Sequence, residues 1–276
     1  MQLMKLGDAL EITVCTDPGR IRPHNEDAVF GDAGLGMAIL ADGMGGYNAG
    51  EVASGMATTL LATNFSRLMP AVFPQGARAS DSGLVEQHLT SEISAANLAI
   101  YNAARRQPQY AGMGTTLVLA WFYDNRLSVA HVGDSRLYRL REGVFEQLTR
   151  DHSLLQEQLD GGMITAEEAR FSQNKNLVTR ALGVEESVEI DIRDHEVKPG
   201  DLFMLCSDGL NDMVEDDEIA LTLQSLSSNL ALAAEQLIEL ANDHGGRDNV
   251  SVILVRAKAD YSVPRGWWQR MLAGLK

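Results

Sequence analysis

The sequence predicts a single α+β domain, and three observations carry that reading. Residues 48–69 and 89–103 repeat apolar side chains at helical spacing, so each stretch has one face to bury. Residues 117–140 form short apolar runs whose links leave no room for crossover helices, which predicts an antiparallel meander. A chain of 276 residues is long enough for one large core.

Taken in order, alternation from Glu11 to Thr16 predicts a first strand, and Asp17-Pro18-Gly19 turns the chain. A polar segment, Arg20 to Asp27, precedes Ala28 to Phe30. The apolar run Met37 to Leu40 ends in Ala41-Asp-Gly-Met-Gly-Gly46, and a helix is predicted from Asn48 to Met69 with Val52, Met56, Leu60 and Thr63 on its stripe. Pro70 to Gly83 reads as a loop, and the second helix carries Leu89, Ile93, Ala96, Ile100 and Ala103. Gly112-Met-Gly-Thr-Thr116 leads into strands at Leu117–Phe122, Leu127–Val132 and Arg136–Leu140, with Asp124-Asn125 as a hairpin turn. Asp151 to Leu182 lacks strong periodicity and predicts a mobile excursion at the edge of the core, with a helical piece near Thr165 to Ala169. Strands follow at Val188–Ile192, Leu202–Cys206 and Val250–Val255, with helices at Glu215–Leu226 and Leu230–Asp243.

The formal charge of −15 repels a phosphate backbone and argues against nucleic acid as a partner. No apolar run is long enough to cross a bilayer, and Met1 to Leu10 lacks the apolar core of a secretory signal. A cytoplasmic protein without stable membrane insertion is expected. The two cysteines, Cys15 and Cys206, stand in strand-like runs, where a free thiol acts as core filler.

Asp42, Asp134, Asp208 and Asp248 share one setting: each sits beside Gly, Ser, Arg or Asn at the tip of an apolar strand. Were these tips to converge, mutual repulsion would demand cations. An oxygen-only donor set with no cysteine pair and no spaced histidine pair suits Mg²⁺ or Mn²⁺ better than zinc. Two such ions bridged by one carboxylate can acidify a bridging water and clamp a phosphoryl group, which predicts phosphate-ester hydrolysis without a covalent enzyme intermediate. Residues 20–27 admit two readings, a guanidinium fork for phosphate or a solvated loop with local ion pairs. Rival motifs fail: Glu51 stands where a P-loop needs lysine, no Gly-x-Ser-x-Gly elbow is present, and Asp208 to Asp212 starts acidic like a calcium loop but lacks the glycine at its sixth position.

Arg22-x-x-Asn-Glu-Asp27, Ala41 to Gly46, Gly112 to Thr116, Val132-Gly-Asp-Ser-Arg136, Cys206-Ser-Asp-Gly209 and Gly246-Arg-Asp-Asn249 together resemble the ordered motif series of the PPM/PP2C serine/threonine phosphatases, in their compact bacterial form. The resemblance implies a four-layer α-β-β-α sandwich, two central antiparallel sheets flanked by helices, with a metal cluster at one end. It implies two Mn²⁺ or Mg²⁺ ions bridged by Asp42, with the Gly43 carbonyl, Asp208 and Asp248 as further ligands, and a weaker third ion on Asp134 and Asp208. Glu26 and Asp27 would act through metal-bound water, Arg22 would grip the substrate phosphate, and a metal-bridging water would attack. Residues 1–258 would form the catalytic domain, 151–182 its flap beside the cleft, and 259–276 a tryptophan-containing tail.

Met44 replaces the histidine that many eukaryotic relatives use as general acid, and methionine has no proton to donate. A metal-bound water or His24 is the substitute. Trp267 and Trp268 in the tail either fold back as packing or, with Arg265, Arg270 and Lys276, meet a membrane surface or partner. The expected partners are phosphorylated proteins and an opposing Ser/Thr kinase, including one of the kind that controls type VI secretion, and the expected state is a monomer. The alternative is a catalytically silent domain that binds phosphoproteins, which has no need of a repulsive acid cluster.

Overall fold

A computed structural model describes residues 6–46, 49–72, 82–169 and 177–263. One helical turn, α1 (Leu6–Ala9), precedes β1 (Leu10–Asp17), β2 (Asp27–Asp32) and β3 (Met37–Met44). Two long helices follow, α2 (Ala49–Val72) and α3 (Ser82–Arg106), and then β4 (Gly114–Thr115), β5 (Leu117–Tyr123), β6 (Arg126–Val132), β7 (Arg136–Arg141) and β8 (Val144–Gln147). The excursion carries α4 (Leu154–Asp160) and α5 (Ala166–Ala169), and the chain closes with β9 (Asp191–Glu196), β10 (Leu202–Cys206), α6 (Asp208–Asn211), α7 (Asp216–Ser225), α8 (Leu230–Asp243) and β11 (Val250–Ala257).

The strands form two antiparallel sheets, ordered β1-β11-β10-β7-β8 and β2-β3-β5-β6-β9, with β4 paired to the end of β3. Period-two patterning explains the layering. On β5, Val118, Ala120 and Phe122 point into the core between the sheets, while Leu117, Leu119 and Trp121 point outward under α2 and α3. On β10, Phe203 and Leu205 face the same inner core, while Leu202, Met204 and Cys206 lie under α7 and α8. Phe122 and Phe203 meet edge to face across the two sheets at 5.3 Å. Burying each such ring contributes about 2–3 kcal/mol and fixes the spacing of the layers. The four-layer sandwich implied by the resemblance is the one observed.

The hairpin turn at Asp124-Asn125 has both residues at positive φ, 45° and 53°, the geometry that matches the twist of flanking strands. Two expectations shift. On α2 the fully buried face is Ala53, Ala57, Leu61 and Phe65; Val52, Met56 and Leu60 flank it and Thr63 is exposed, because small alanines let the helix approach the sheet closely. The strand expected at 188–192 pairs only from Asp191, since Val188 and Ile190 pack first against the helix-covered core. The loop expected at 70–83 begins later, as α2 runs to Val72; residues 73–81 lie outside the described residues, as do Trp267 and Trp268. Beyond β11, Tyr261 is buried in the inner core and its N–H donates to Asn125 Oδ1 at 2.8 Å. Both cysteines are free thiols, Cys206 fully buried. No helix among the described residues is long and apolar enough to cross a membrane.

Candidate metal centre

β3 carries its apolar run to one end of the sandwich and delivers Asp42 there, opposite Asp27 in the antiparallel register with β2. The Gly-Thr-Thr stretch pins this end. Asp42 N–H donates to Thr116 Oγ1 at 3.0 Å, while Thr116 N–H and the Thr115 hydroxyl donate to the Asp42 carbonyl at 2.8 and 2.9 Å. Gly43 is required by crowding, because a Cβ there would sit 2.2 Å from the Gly50 carbonyl oxygen at the start of α2. Asp134 occupies the turn between β6 and β7, Asp208 opens α6 directly after β10, and Asp248 stands just before β11. Gly209 lets the last two meet, since a Cβ would lie 2.0 Å from the Asn249 carbonyl.

Asp42, Asp134, Asp208 and Asp248 line one cleft of about 390 Å³ together with Arg22, Glu26, Gly43, Met44, Gly45, Thr116, Leu177 and Val178. Arg22 stands at the rim, its side chain 49% exposed, and pairs with Asp248 Oδ2 at 2.7 Å. The Glu26 carboxylate lies against the start of α2, where a Cβ on Gly50 would come within 2.9 Å of its carboxyl carbon and where a helix leaves donors unpaired. Asp27 lies one layer deeper, its Oδ2 accepting the hydroxyls of Ser207 at 2.8 Å and Ser251 at 2.6 Å. His24 is exposed and does not line the cleft.

Burial raises the Asp42 carboxyl well above the usual range, and repulsion from Asp27, Asp208, Asp134 and Asp248 adds to it. Asp208 is raised likewise by burial, then by Asp134, Asp212, Asp248 and Asp27. Burial pushes Asp134 up to about 6, with Asp151 contributing, and Asp27 to about 6, against the two serine hydroxyls that favour its charge. Glu26 is raised by burial. Among the described residues, Asp208 Oδ1 is buried with no hydrogen-bond partner. A buried acceptor without a donor, among carboxylates that repel one another, is the environment a divalent cation completes. The residues present fit Mg²⁺ or Mn²⁺.

His131, His152 and Asp191 also approach one another closely enough to suggest a metal. Their hydrogen bonds argue otherwise. Gly133 N–H donates to His152 Nδ1 at 3.1 Å, so the His152 proton is on Nε2, facing Asp191 Oδ2 at 3.4 Å. The Arg150 carbonyl 2.8 Å from His131 Nε2 fixes a proton there too. With His152's lone pair already engaged, this group is a hydrogen-bonded link between strands.

The structure thus gathers Asp42, Gly43, Asp134, Asp208, Asp248, Arg22 and Glu26 at one cleft, with Asp27 beneath it. Positions with no role in the sequence reading also emerge: Thr115, Thr116, Ser207, Ser251 and Asn249. The Asn249 side chain donates to the Pro18 and His24 carbonyls at 3.0 and 2.8 Å and accepts Glu26 N–H at 2.8 Å, stapling the arginine-bearing loop to the Asp248 turn. All but Ser251 stand inside the quoted motifs, which is the signal that marks them.

Known proteins share the sequence and the fold. The family model described as Protein phosphatase 2C matches residues 22–241. The serine/threonine phosphatase Stp of Listeria welshimeri is 41% identical over 243 residues, 87% of this chain and 93% of that one. The catalytic domain of the serine/threonine protein phosphatase PstP, solved in complex with 2 manganese ions, superposes with a TM-score of 0.77 at 38% identity, covering 90% of this chain and 97% of that one. PppA, described as a key regulatory component of the type VI secretion system in Pseudomonas aeruginosa, gives a TM-score of 0.75 at 33% identity, over 90% of this chain and 97% of that one. The family match over most of the chain, together with a relative 41% identical over 87% of it, shows that this chain belongs to the protein phosphatase 2C family.

Proposed function

We propose that this chain is a metal-dependent protein phosphatase that hydrolyses phosphoserine and phosphothreonine. The observation that carries the reading is Asp208 Oδ1, buried without a donor among the described residues in a cleft that also holds Asp42, Asp134 and Asp248 and has a guanidinium at its rim. Asp42, the Gly43 carbonyl, Asp208 and Asp248 would hold two Mn²⁺ or Mg²⁺ ions, and Asp134 with Asp208 a weaker third. When bound, such ions supply the acidity that turns water into a nucleophile and the positive charge that attracts a phosphate dianion.

The chain's own groups do the rest. Arg22 receives the non-bridging phosphate oxygens, for which a planar fork is suited. Glu26 lines the cleft and would orient water there, while Asp27, held by Ser207 and Ser251, would act from beneath Asp42. Thr116 holds the Asp42 backbone with a hydroxyl that also bonds Ser135 at 2.7 Å, which leaves it committed. With Thr116 committed, no Ser, Cys or His among the described lining residues, and the aspartates assigned to holding the ions, we infer direct hydrolysis of the ester by water. Met44 lines the cleft without a proton to give and His24 does not reach it, so the leaving alkoxide is protonated by water.

The likeness to Stp, PstP and PppA supports phosphoprotein substrates and an opposing Ser/Thr kinase, and PppA supports a place in control of type VI secretion. We further place the catalytic unit at residues 1–258, with 151–182 as its substrate-facing flap and 259–276 as the tail, acting as a cytoplasmic monomer. Hydrolysis of p-nitrophenyl phosphate and a phosphothreonine peptide, with Mn²⁺ and again after chelation, tests the activity. Turnover that vanishes with chelator and returns with metal is expected. Its absence would favour the silent phosphoprotein-binding domain. Phosphoproteomes of cells with and without the protein identify the substrate.

A further inference from the structure

His152 does more than join strands. Both backbone groups of Gly133 are held by this one residue: Gly133 N–H donates to its Nδ1 at 3.1 Å, and His152 N–H donates to the Gly133 carbonyl at 2.9 Å. Gly133 needs this restraint. Its φ is +104°, and a Cβ there would lie 2.7 Å from the Thr116 side chain, so the turn is wedged between Thr116 and His152 with Asp134 projecting from it. On its other side the His152 carbonyl accepts Thr179 N–H at 2.8 Å, while Leu154 N–H donates to the Leu177 carbonyl at 2.9 Å. Leu177 and Val178, between those bonds, form part of the cleft wall. Arg136 fixes the preceding residue by contacts of 2.7 to 3.0 Å to both oxygens of Asp151.

We propose that His152 is a positioning residue that locks the Asp134 turn and the Leu177–Thr179 wall of the cleft to each other. It touches neither substrate nor ion. It couples the direction of one acid to the wall on which a phosphopeptide would rest, through an acceptor nitrogen that a backbone N–H has selected. The proposal rests on the phosphatase reading, and metal-restored turnover by the unaltered protein tests that reading separately.

His152→Asn and His152→Gln form the discriminating pair, because the asparagine oxygen can occupy the place of Nδ1 and accept Gly133 N–H, while the glutamine amide reaches the place of Nε2 and cannot. Three readouts apply: the Mn²⁺ binding isotherm of the metal-free protein, hydrogen-exchange protection of the Gly133 amide, and KM against kcat for a phosphothreonine peptide. In His152→Gln we expect the weakest Mn²⁺ step to lose about tenfold in affinity, the Gly133 amide to lose protection, and KM to rise about tenfold. His152→Asn should stay within about threefold of the unaltered protein on each measure. His152→Phe, which keeps the ring volume against His131, should repeat the glutamine result and serves should that variant fold poorly. Equal shifts in the asparagine and glutamine variants, or none in either, overturn the proposal.

Discussion

The acid cluster around Asp42, Asp134 and Asp208 and the imidazole cluster of His131, His152 and Asp191 meet at the turn of Gly133, yet they treat their polar atoms in opposite ways. In the second, His131 Nε2 and both ring nitrogens of His152 face hydrogen-bond partners, and the two rings stack at 4.7 Å. In the first, Asp208 Oδ1 has no donor among the described residues, and burial together with mutual repulsion raises the carboxyls' pKa. A satisfied buried network holds a fold together, whereas an unsatisfied one costs stability and is retained for what it binds. The same polypeptide turn therefore joins a region built for stability to one built for a ligand.

The largest expected effect tests the unsatisfied side. Asp208→Asn removes a charge that the ions would share, so Mn²⁺-dependent turnover should fall by about 1000-fold or more. Without metal the same variant should be more stable, by about 1–2 kcal/mol, because one repelling charge has gone. Phosphatase assays and chelated thermal melts read the two effects. Retained turnover would show that Asp208 is no ligand.

Metal removal and pH sharpen the contrast next. In the unfolded chain Asp27 and Asp134 titrate near 3.8, and in the folded chain near 6. Between those values the folded state holds more protons, so the stability these groups contribute is full below about 4 and is lost as pH rises through about 6. Each group alone corresponds to about 3 kcal/mol, and the sum is smaller because the repulsion is shared. Urea unfolding of the chelated protein should give a lower midpoint at about pH 7.5 than at about pH 5, and Mn²⁺ should restore it. A midpoint that rises with pH in chelator would contradict the acid cluster.

Arg22→Ala is expected to act on substrate alone. The guanidinium is half exposed, so its loss should cost little stability, while KM for a phosphopeptide rises about 10- to 100-fold. Mn²⁺ affinity should hold or improve, since Asp248 Oδ2 loses a competing cation 2.7 Å away. A collapse of metal binding in the isotherm would make Arg22 a structural residue.

What the sequence disclosed follows the same division. Each acid of the cleft interrupts an apolar run at a strand tip, so local pattern exposes it. The residues that aim those acids stand in the same motifs, but their roles stayed hidden because they act through backbone groups far along the chain: Thr115 bonds a carbonyl 73 positions away, and Asn249 bonds one 231 positions away. His152 carries no local signal at all, since its partners are the main chain of Gly133 and of Thr179 and the carboxylate of Asp191, 39 positions away. The layering was legible as two helical stripes and a meander, but the face of α2 was displaced by one residue. Alanine packs as well as leucine when the sheet comes close, and a hydrophobic scale ranks it lower. Likewise the strand at Asp191–Glu196 is polar along an edge, where pairing with β6 is set by main-chain bonds.

The smallest expected effect tests the satisfied side. His131→Phe keeps the stack on His152 but deletes the bond from Nε2–H to the Arg150 carbonyl, leaving that carbonyl to find water or go unpaired. The cost should be about 1–2 kcal/mol of unfolding free energy with no change in Mn²⁺ stoichiometry. Chemical denaturation and the Mn²⁺ isotherm decide it together. Were this substitution to abolish a metal-binding step, the imidazoles would be ligands after all, and the tautomers assigned from Gly133 and Arg150 would be wrong. A loss of stability alone leaves the two clusters with the separate roles that their hydrogen bonds give them.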